Sequence, residues 1–391
     1  MKDWAVSTGS DGRRLGAPAG ILGLTMSTKA AAGISVLESD PALRDDMIVA
    51  RRFGRRFLRQ QREHPRWIRA QTRANRALAV EWALLLAITY VLVYGPLPLP
   101  LKIVLLIPWA LYSSLALDVD IHYYNHWPLF ARAWMNRLVR LSGILVFASP
   151  LEISHHHWQH HRYNDPYDDP QTTLTAIARE PGWRSWLALA KYLGKETLRS
   201  VWGFLPWTET PDYIQALRRS RPAEHREIAC NRWANLAWLI LLLVLDWRDT
   251  ALLLVPATLL LAPLASFVMN LTDHAPSDLT HPFRQATYLE PRTRMEKLLS
   301  FVNHYTAATH LTHHLFPHVH WCHIRRLQRR LLRLYARWGA PRSLIVGSVL
   351  VGNPFGFVRV LRDLRRQRAV REVWPGDADR PGVGALLEEA G

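Results

Sequence analysis

The sequence predicts an all-α membrane protein: four transmembrane helices in two hairpins, with a cytoplasmic helical cap that carries a histidine-rich di-metal site. Three observations predict it. Long apolar runs alternate with arginine-dense segments. The runs come in two pairs, each joined by a short turn. The histidines, 18 in all, gather at helical spacing near the ends of those runs instead of being scattered.

Composition sets the frame. Hydrophobic residues make up 49% of the 391, yet the mean hydropathy stays near zero because arginines separate the apolar runs. A formal charge of +17 suits an anionic membrane surface or nucleic acid, and the apolar runs decide for the membrane and against nucleic acid. Two cysteines, Cys230 and Cys322, without Cys-x-x-Cys spacing exclude a zinc ribbon, an Fe–S cluster or a thioredoxin motif.

Residues 1–50 lack sustained periodicity and read as a flexible N-terminal segment, with Met26 an alternative start. Residues 51–77 form an Arg-rich cytoplasmic or interfacial segment, with Phe53, Phe57, Leu58, Trp67 and Ile68 interleaved. The membrane domain then runs over 78–338, with spans at about 78–94, 97–117, 229–245 and 251–271. The first run is about 26 Å long as a helix, marginally enough for a bilayer core. Lys102, close to the turn at Gly95–Pro100, is expected to snorkel. Leu138–Leu151 is too short to cross and holds Arg140, so it reads as interfacial or buried in the cytoplasmic part. Trp183–Trp207 mixes tryptophans with lysines as a headgroup-level helix would. Ile324, Leu327, Leu331, Leu334 and Tyr335 make one face of an amphipathic helix whose other face is arginine, a surface for anionic lipid headgroups. Residues 339–391 read as a cytoplasmic tail. Short outer turns return every histidine cluster to the side of the arginine segments. The positive-inside rule makes that side cytoplasmic, with both termini and the site on it, in a multi-pass protein.

The histidine spacing carries the chemistry. His310, His313 and His314 fall at i, i+3 and i+4, on one helical face, with their nitrogens expected to converge on one point. His157, His160 and His161 repeat the spacing, and His122 and His126 lie one turn apart. Adjacent imidazoles without a ligand gain nothing for a fold and repel once protonated. With His274 the set numbers nine, more than one tetrahedral ion uses, and all-nitrogen ligands exclude calcium and magnesium. A hydrolytic zinc site would want His-Glu-x-x-His, which the sequence lacks.

This ordered set resembles the integral-membrane fatty acid desaturase and hydroxylase superfamily, the histidine-box di-iron enzymes, over roughly Leu78 to Arg330. His122 and His126 match the first box. His157, His160 and His161 match the second, trailed by Asn164-Asp165-Pro166 and Asp168-Asp169-Pro170. His310, His313 and His314, followed by Leu315-Phe316-Pro317, resemble the third, and Asn270 with His274 resembles an element in which the His binds metal and the Asn acts through water. His155, His156, His318, His320 and His323 depart from the pattern and read as bystanders. Asp118, Asp120, Glu152, Asp165, Asp168, Asp169 and Asp273 are candidates to hold the outer N–H of ligand histidines.

The resemblance implies two iron ions, O2 as co-substrate and no residue acting as nucleophile. The substrate would be a membrane lipid or other acyl chain, as acyl-lipid, acyl-CoA or acyl carrier protein. No His-Pro-Gly-Gly haem motif of a fused domain is present, so electrons are expected from a separate ferredoxin, or from cytochrome b5 with its reductase. A double bond is the favoured product. A hydroxylase, ketolase or epoxidase on the same scaffold is the alternative, and a non-redox metal-binding membrane protein a distant one.

Overall fold

The computed structural model describes residues 40–163, 205–207, 212–262, 281–302 and 304–342, together with positions 184, 187, 190, 191, 194 and 273. The described residues are helical, with one isolated bridge between Tyr288 and Arg342 and no strand.

The chain is helical earlier than its composition suggests. Helix α1 spans Pro41–Glu63, so residues 41–50 do not belong to a flexible segment. Asp40 caps it, its Oδ1 accepting from the amides of Ala42 and Leu43 at 2.9 and 3.1 Å. Leu43, Met47, Ala50, Gly54, Phe57 and Gln61, alternately four and three apart, form its buried face. Gly54 is there because the Phe316 ring lies where a β-carbon would be, 2.4 Å away. Pro65 cannot donate and holds His64 extended, so the helix stops and α2, Pro65–Tyr94, begins on a new axis.

At 30 residues α2 is about 45 Å long, its first third arginine-rich and the remainder apolar. After Gly95 the chain returns as α3, Leu99–His126, unbroken through Pro108, so the first histidine pair lies on the same helix as the second apolar run. Trp109 donates to Thr89 Oγ1 at 3.0 Å and Tyr112 to Glu81 Oε1 at 3.3 Å, which fixes α3 against α2.

Helix α4, Ala133–Ser142, ends in a 3-10 turn, Gly143–Val146, and a left-handed Phe147 with φ of 56°, before α5, Pro150–Tyr163. These breaks prevent the segment from crossing as one helix. It reaches the end of α2 remote from the arginines. Tyr90, one turn from the far end of α2, donates to Leu145 O at 2.8 Å, and Phe147 packs into a core with Val93, Leu106 and Leu242.

Helices α6, Asp212–Ser220, and α7, Pro222–Leu245, follow. A short turn leads into wide π-helical turns over Thr250–Leu254 and Pro256–Leu261. Lys102 does not snorkel: it is buried, donates to Val93 O at 2.6 Å and pairs with Asp249, tying the first hairpin to the second. Among the described residues, α2 and α7 are the helices long and apolar enough to cross a membrane. The end of the fourth run, the trailing Asn-Asp-Pro stretch and the 343–391 tail lie outside the described residues, as does most of Trp183–Trp207.

Helices α8, Arg294–Val302, α9, Thr306–Leu315, and α10, Trp321–Arg337, complete the fold. The buried face of α1, the apolar side of α9 and Ile324, Leu327, Leu331 and Tyr335 of α10 share one core. The apolar stripe read from the sequence therefore seats α10 on the protein and turns its arginines outward.

Candidate metal centre

Four imidazoles from three helices meet nitrogen to nitrogen. His126 ends α3, His157 and His161 sit one turn apart on α5, and His313 comes from α9. The Nε2 atom of His157 lies 2.7 Å from that of His126 and 2.9 Å from that of His161, whose own Nε2 is 2.8 Å from His313 Nε2. All four ligand atoms fall within 4.8 Å of one another.

Protons alone do not satisfy this arrangement. A ring nitrogen carries either one proton or one lone pair, and the Nε2 atoms of His157 and His161 each face two others. A single cation at the common point would take all four lone pairs. With metal–nitrogen bonds of about 2.0–2.1 Å a tetrahedral site wants nitrogens about 3.3 Å apart, so the three short contacts would open by about half an ångström and the wider pairs, up to 4.8 Å apart, would draw in to admit an ion. His126, His161 and His313 are buried, so a protonated form would be both desolvated and crowded. The donor set fits a transition metal.

A second pair adjoins it. His310 and His314 of α9 bring their Nε2 atoms to 3.1 Å, and the His314 ring centroid is 4.6 Å from that of His161. The carboxylate of buried Asp273 lies 3.9 Å from His310 Nδ1, on the side away from the pair. The third triplet therefore does not converge on one point. At 3.6 residues per turn His314 lies about 40° from His310, whereas His313 lies about 60° to the other side. The i, i+4 residues face each other, and His313 turns toward α5. His161 touches both sets.

Both helices are held by their surroundings. Glu152 on α5 pairs with buried Arg232 of α7, so its partner is not a ligand histidine as expected. His155 Nε2 meets Glu224 at 2.8 Å, and Arg140 of α4 meets Glu227 at 2.9 Å. On α9, Thr312 donates to Gln328 Oε1 at 3.0 Å, and Tyr335 OH lies 2.8 Å from the same Thr312 hydroxyl. Burial pushes the Tyr335 phenol up, keeping it protonated and able to donate.

The remaining sequence-selected residues fall as follows. His122, Asp118 and Asp120 lie on α3 and His160 on α5, but their side chains are outside the described residues, as are Asn270, His274, Asp165, Asp168 and Asp169 entirely. His320 Nε2 lies 2.9 Å from Asn75 Oδ1, its Nδ1 accepts from the Cys322 amide, and His323 lies tilted against Trp67 with centroids 4.1 Å apart. Sequence reasoning did not single out Glu81 and His304, whose Oε2 and Nε2 are 2.7 Å apart. In the sequence Glu81 interrupts the apolar run at 78–94. A carboxylate one turn inside such a run was itself the signal that it has a specific partner. His304 and Tyr305, both at positive φ, lead into α9, and Thr306 ties that helix to α3 through Tyr123 OH at 2.8 Å.

Comparison with curated proteins and with solved structures returns no match. The family model for fatty acid desaturases matches residues 119–345, more than half of the chain, from the first histidine pair to beyond α10. With the convergent imidazoles and two membrane-length apolar helices already in place, that match makes the chain a membrane-type oxidoreductase of lipid desaturase or hydroxylase character: it belongs to the fatty acid desaturase family.

Proposed function

We propose that this protein is an O2-dependent di-iron desaturase of a membrane-borne fatty acyl chain. The observation that carries the reading is the convergence of four Nε2 atoms from α3, α5 and α9, with the His310–His314 pair alongside. His126, His157, His161 and His313 would hold one ion, and His310 and His314 would contribute to a second. His122, His160, His274 and, through water, Asn270 are proposed to complete the set. When bound, iron would supply the activation of O2 needed to attack an unactivated C–H bond. The balance is two hydrogens from the acyl chain, O2, two electrons and two protons, giving a double bond and two waters.

The chain's own residues set the conditions for that chemistry. Imidazoles presenting Nε2 inward must carry their proton on Nδ1, and Asp273 beside His310 Nδ1 favours that tautomer. Buried Leu311, Leu315 and Phe316 on and after α9 keep water from its inner side, where charge would otherwise be screened. We further propose four spans, with the site and both termini on the cytoplasmic side. A separate ferredoxin or cytochrome b5 would dock near the arginine face of α10.

Lipid mass spectrometry of cells with and without the protein tests the reaction. Loss of 2 Da from an acyl chain is the expected result. A gain of 16 Da would make it a hydroxylase, and metal analysis giving zinc alone in active protein would end the di-iron reading.

A further inference from the structure

The geometry points to a seat for one anionic phospholipid in the groove between α2 and α3, with its acyl chain against Val80, Leu84, Ile88 and Trp109 and its phosphate on Arg73 and Arg76. This rests on the membrane placement proposed above and is independent of which reaction the metal site performs.

The groove measures about 560 Å³, and seven of its nine lining residues come from α2, with Trp109 and Tyr112 supplied by α3. One face of α2 changes character along its length. Arg66, Arg69, Arg73 and Arg76 are exposed at spacings of three and four, and the same stripe continues as exposed Val80, Leu84, Ile88 and Val91. From Val80 to Ile88 is about 12 Å, close to the thickness of one leaflet's hydrocarbon. Arg76 stands about 6 Å above Val80 and Arg73 about 4.5 Å higher, within headgroup depth, while Arg66 lies beyond it. A phosphate over Arg76 would thus continue directly into a chain lying along the apolar half.

The groove also differs from plain lipid-facing surface in having a recessed, electrically closed wall. Leu85 at its base is buried, and Glu81 lines it without presenting a bare charge. One carboxylate oxygen accepts from Tyr112 OH at 3.3 Å and the other meets His304 Nε2 at 2.7 Å. A hydrocarbon chain can lie against such a wall, whereas an unpaired carboxylate would repel both chain and phosphate. The outer apolar positions of α7, Leu241 and Val244, are also exposed but have no arginine within two turns on the N-terminal side, and Arg248, one turn past Val244, stands at the opposite end of the proposed span from Arg73 and Arg76.

The test uses the full-length protein in nanodiscs of mixed phosphatidylglycerol and phosphatidylcholine, with a trace of either lipid carrying a diazirine on its acyl chain. Peptide mapping should place phosphatidylglycerol adducts at Val80, Leu84, Ile88 and Trp109 in excess over Leu241 and Val244. Leu84→Trp, which fills the groove, should abolish that excess. Arg76→Ala should cut the preference for phosphatidylglycerol by about fivefold, and adding Arg73→Ala by about as much again. Equal labelling of groove and α7, or equal labelling by the two lipids, overturns the seat. Protein that takes no adduct at any apolar position refutes the membrane placement instead.

Discussion

Two groups of buried histidines occupy the half of the molecule that carries α5, α9 and α10, and burial does not tell them apart. His161 and His313 are 4% and 5% exposed, His320 and His323 only 1% and 2%. The difference is what each ring nitrogen faces. In the second group the protein supplies an answer for most: an amide oxygen and a backbone N–H for His320, and carboxylates for the half-buried His155 and His304, while His323, whose ring nitrogens are buried without a hydrogen bond among the described residues, lies against the Trp67 indole. In the first group nitrogen faces nitrogen, an arrangement that hydrogen bonding cannot fully satisfy. An imidazole that the fold has already partnered is structural. One aimed at other imidazoles has the geometry that fits a metal ion.

The largest effect should come from breaking the first group at the residue that touches both of its halves. His161→Ala is expected to abolish product and to remove at least half of the bound metal, as measured by elemental analysis of protein isolated with its native metal. His310→Ala or His314→Ala should also abolish product but spare the ion held by His126, His157, His161 and His313, leaving about one metal per chain. Equal metal loss in all three variants would mean that the two halves form a single site. His157 already turns its Nε2 into the cluster, so His157→Ala retaining metal would require the second box to be shifted by one residue.

A middle-sized effect is expected at the anchors. His155→Ala removes, and Glu224→Gln weakens by loss of its charge, a contact that fixes α5 to α7 without touching the converging nitrogens. Both should keep full metal content and lose at most about tenfold in turnover, the range for a residue acting through a ligand's surroundings. Metal loss in either would move His155 into the first group.

Much of this division was legible in the sequence, and the exceptions have identifiable causes. Three helical spacings of histidine suffice to locate a metal site, because i, i+4 residues must share a face wherever the helix lies. They do not reveal which neighbour each imidazole meets, since α5 and α9 are about 150 residues apart and their relative rotation is set by packing. Splitting of the third triplet follows from the 100° step per residue, but only once α5 is known to lie on the His313 side. Lys102 looked like a snorkelling residue because Asp249, 147 positions later, cannot be assigned to it from local pattern. The seat of Gly143–Phe147 against the far end of α2 was hidden for a related reason: it is fixed by Tyr90 and by the core around Val93, and no short window contains those residues. Helix α1 was missed over 41–50 because its buried positions are spread between charged residues and become an obvious stripe only when continued to Gln61.

The smallest effect tests the second group through pH. Burial lowers the pKa of His323 to about 4, and burial together with nearby His323 lowers that of His320 to about 3. Both are neutral in the folded state, whereas the unfolded chain takes up protons near its ordinary value of about 6.5. Their contribution is therefore complete above about pH 6.5 and is lost as pH falls toward 4 and then 3. At pH 5 the proton preference of the unfolded chain at His323 alone is worth about 2 kcal/mol. His323→Phe keeps a ring against Trp67 and removes that titration, so metal-free protein in detergent should unfold at lower pH than the parent, followed by tryptophan fluorescence. Metal-free protein removes the ion from the comparison, and the parent and variant share every other histidine, so the difference between their midpoints belongs to position 323. An unchanged midpoint would mean that His323 is protonated or open to water in the folded chain, and that burial does not keep an imidazole neutral even at a residue only 2% exposed.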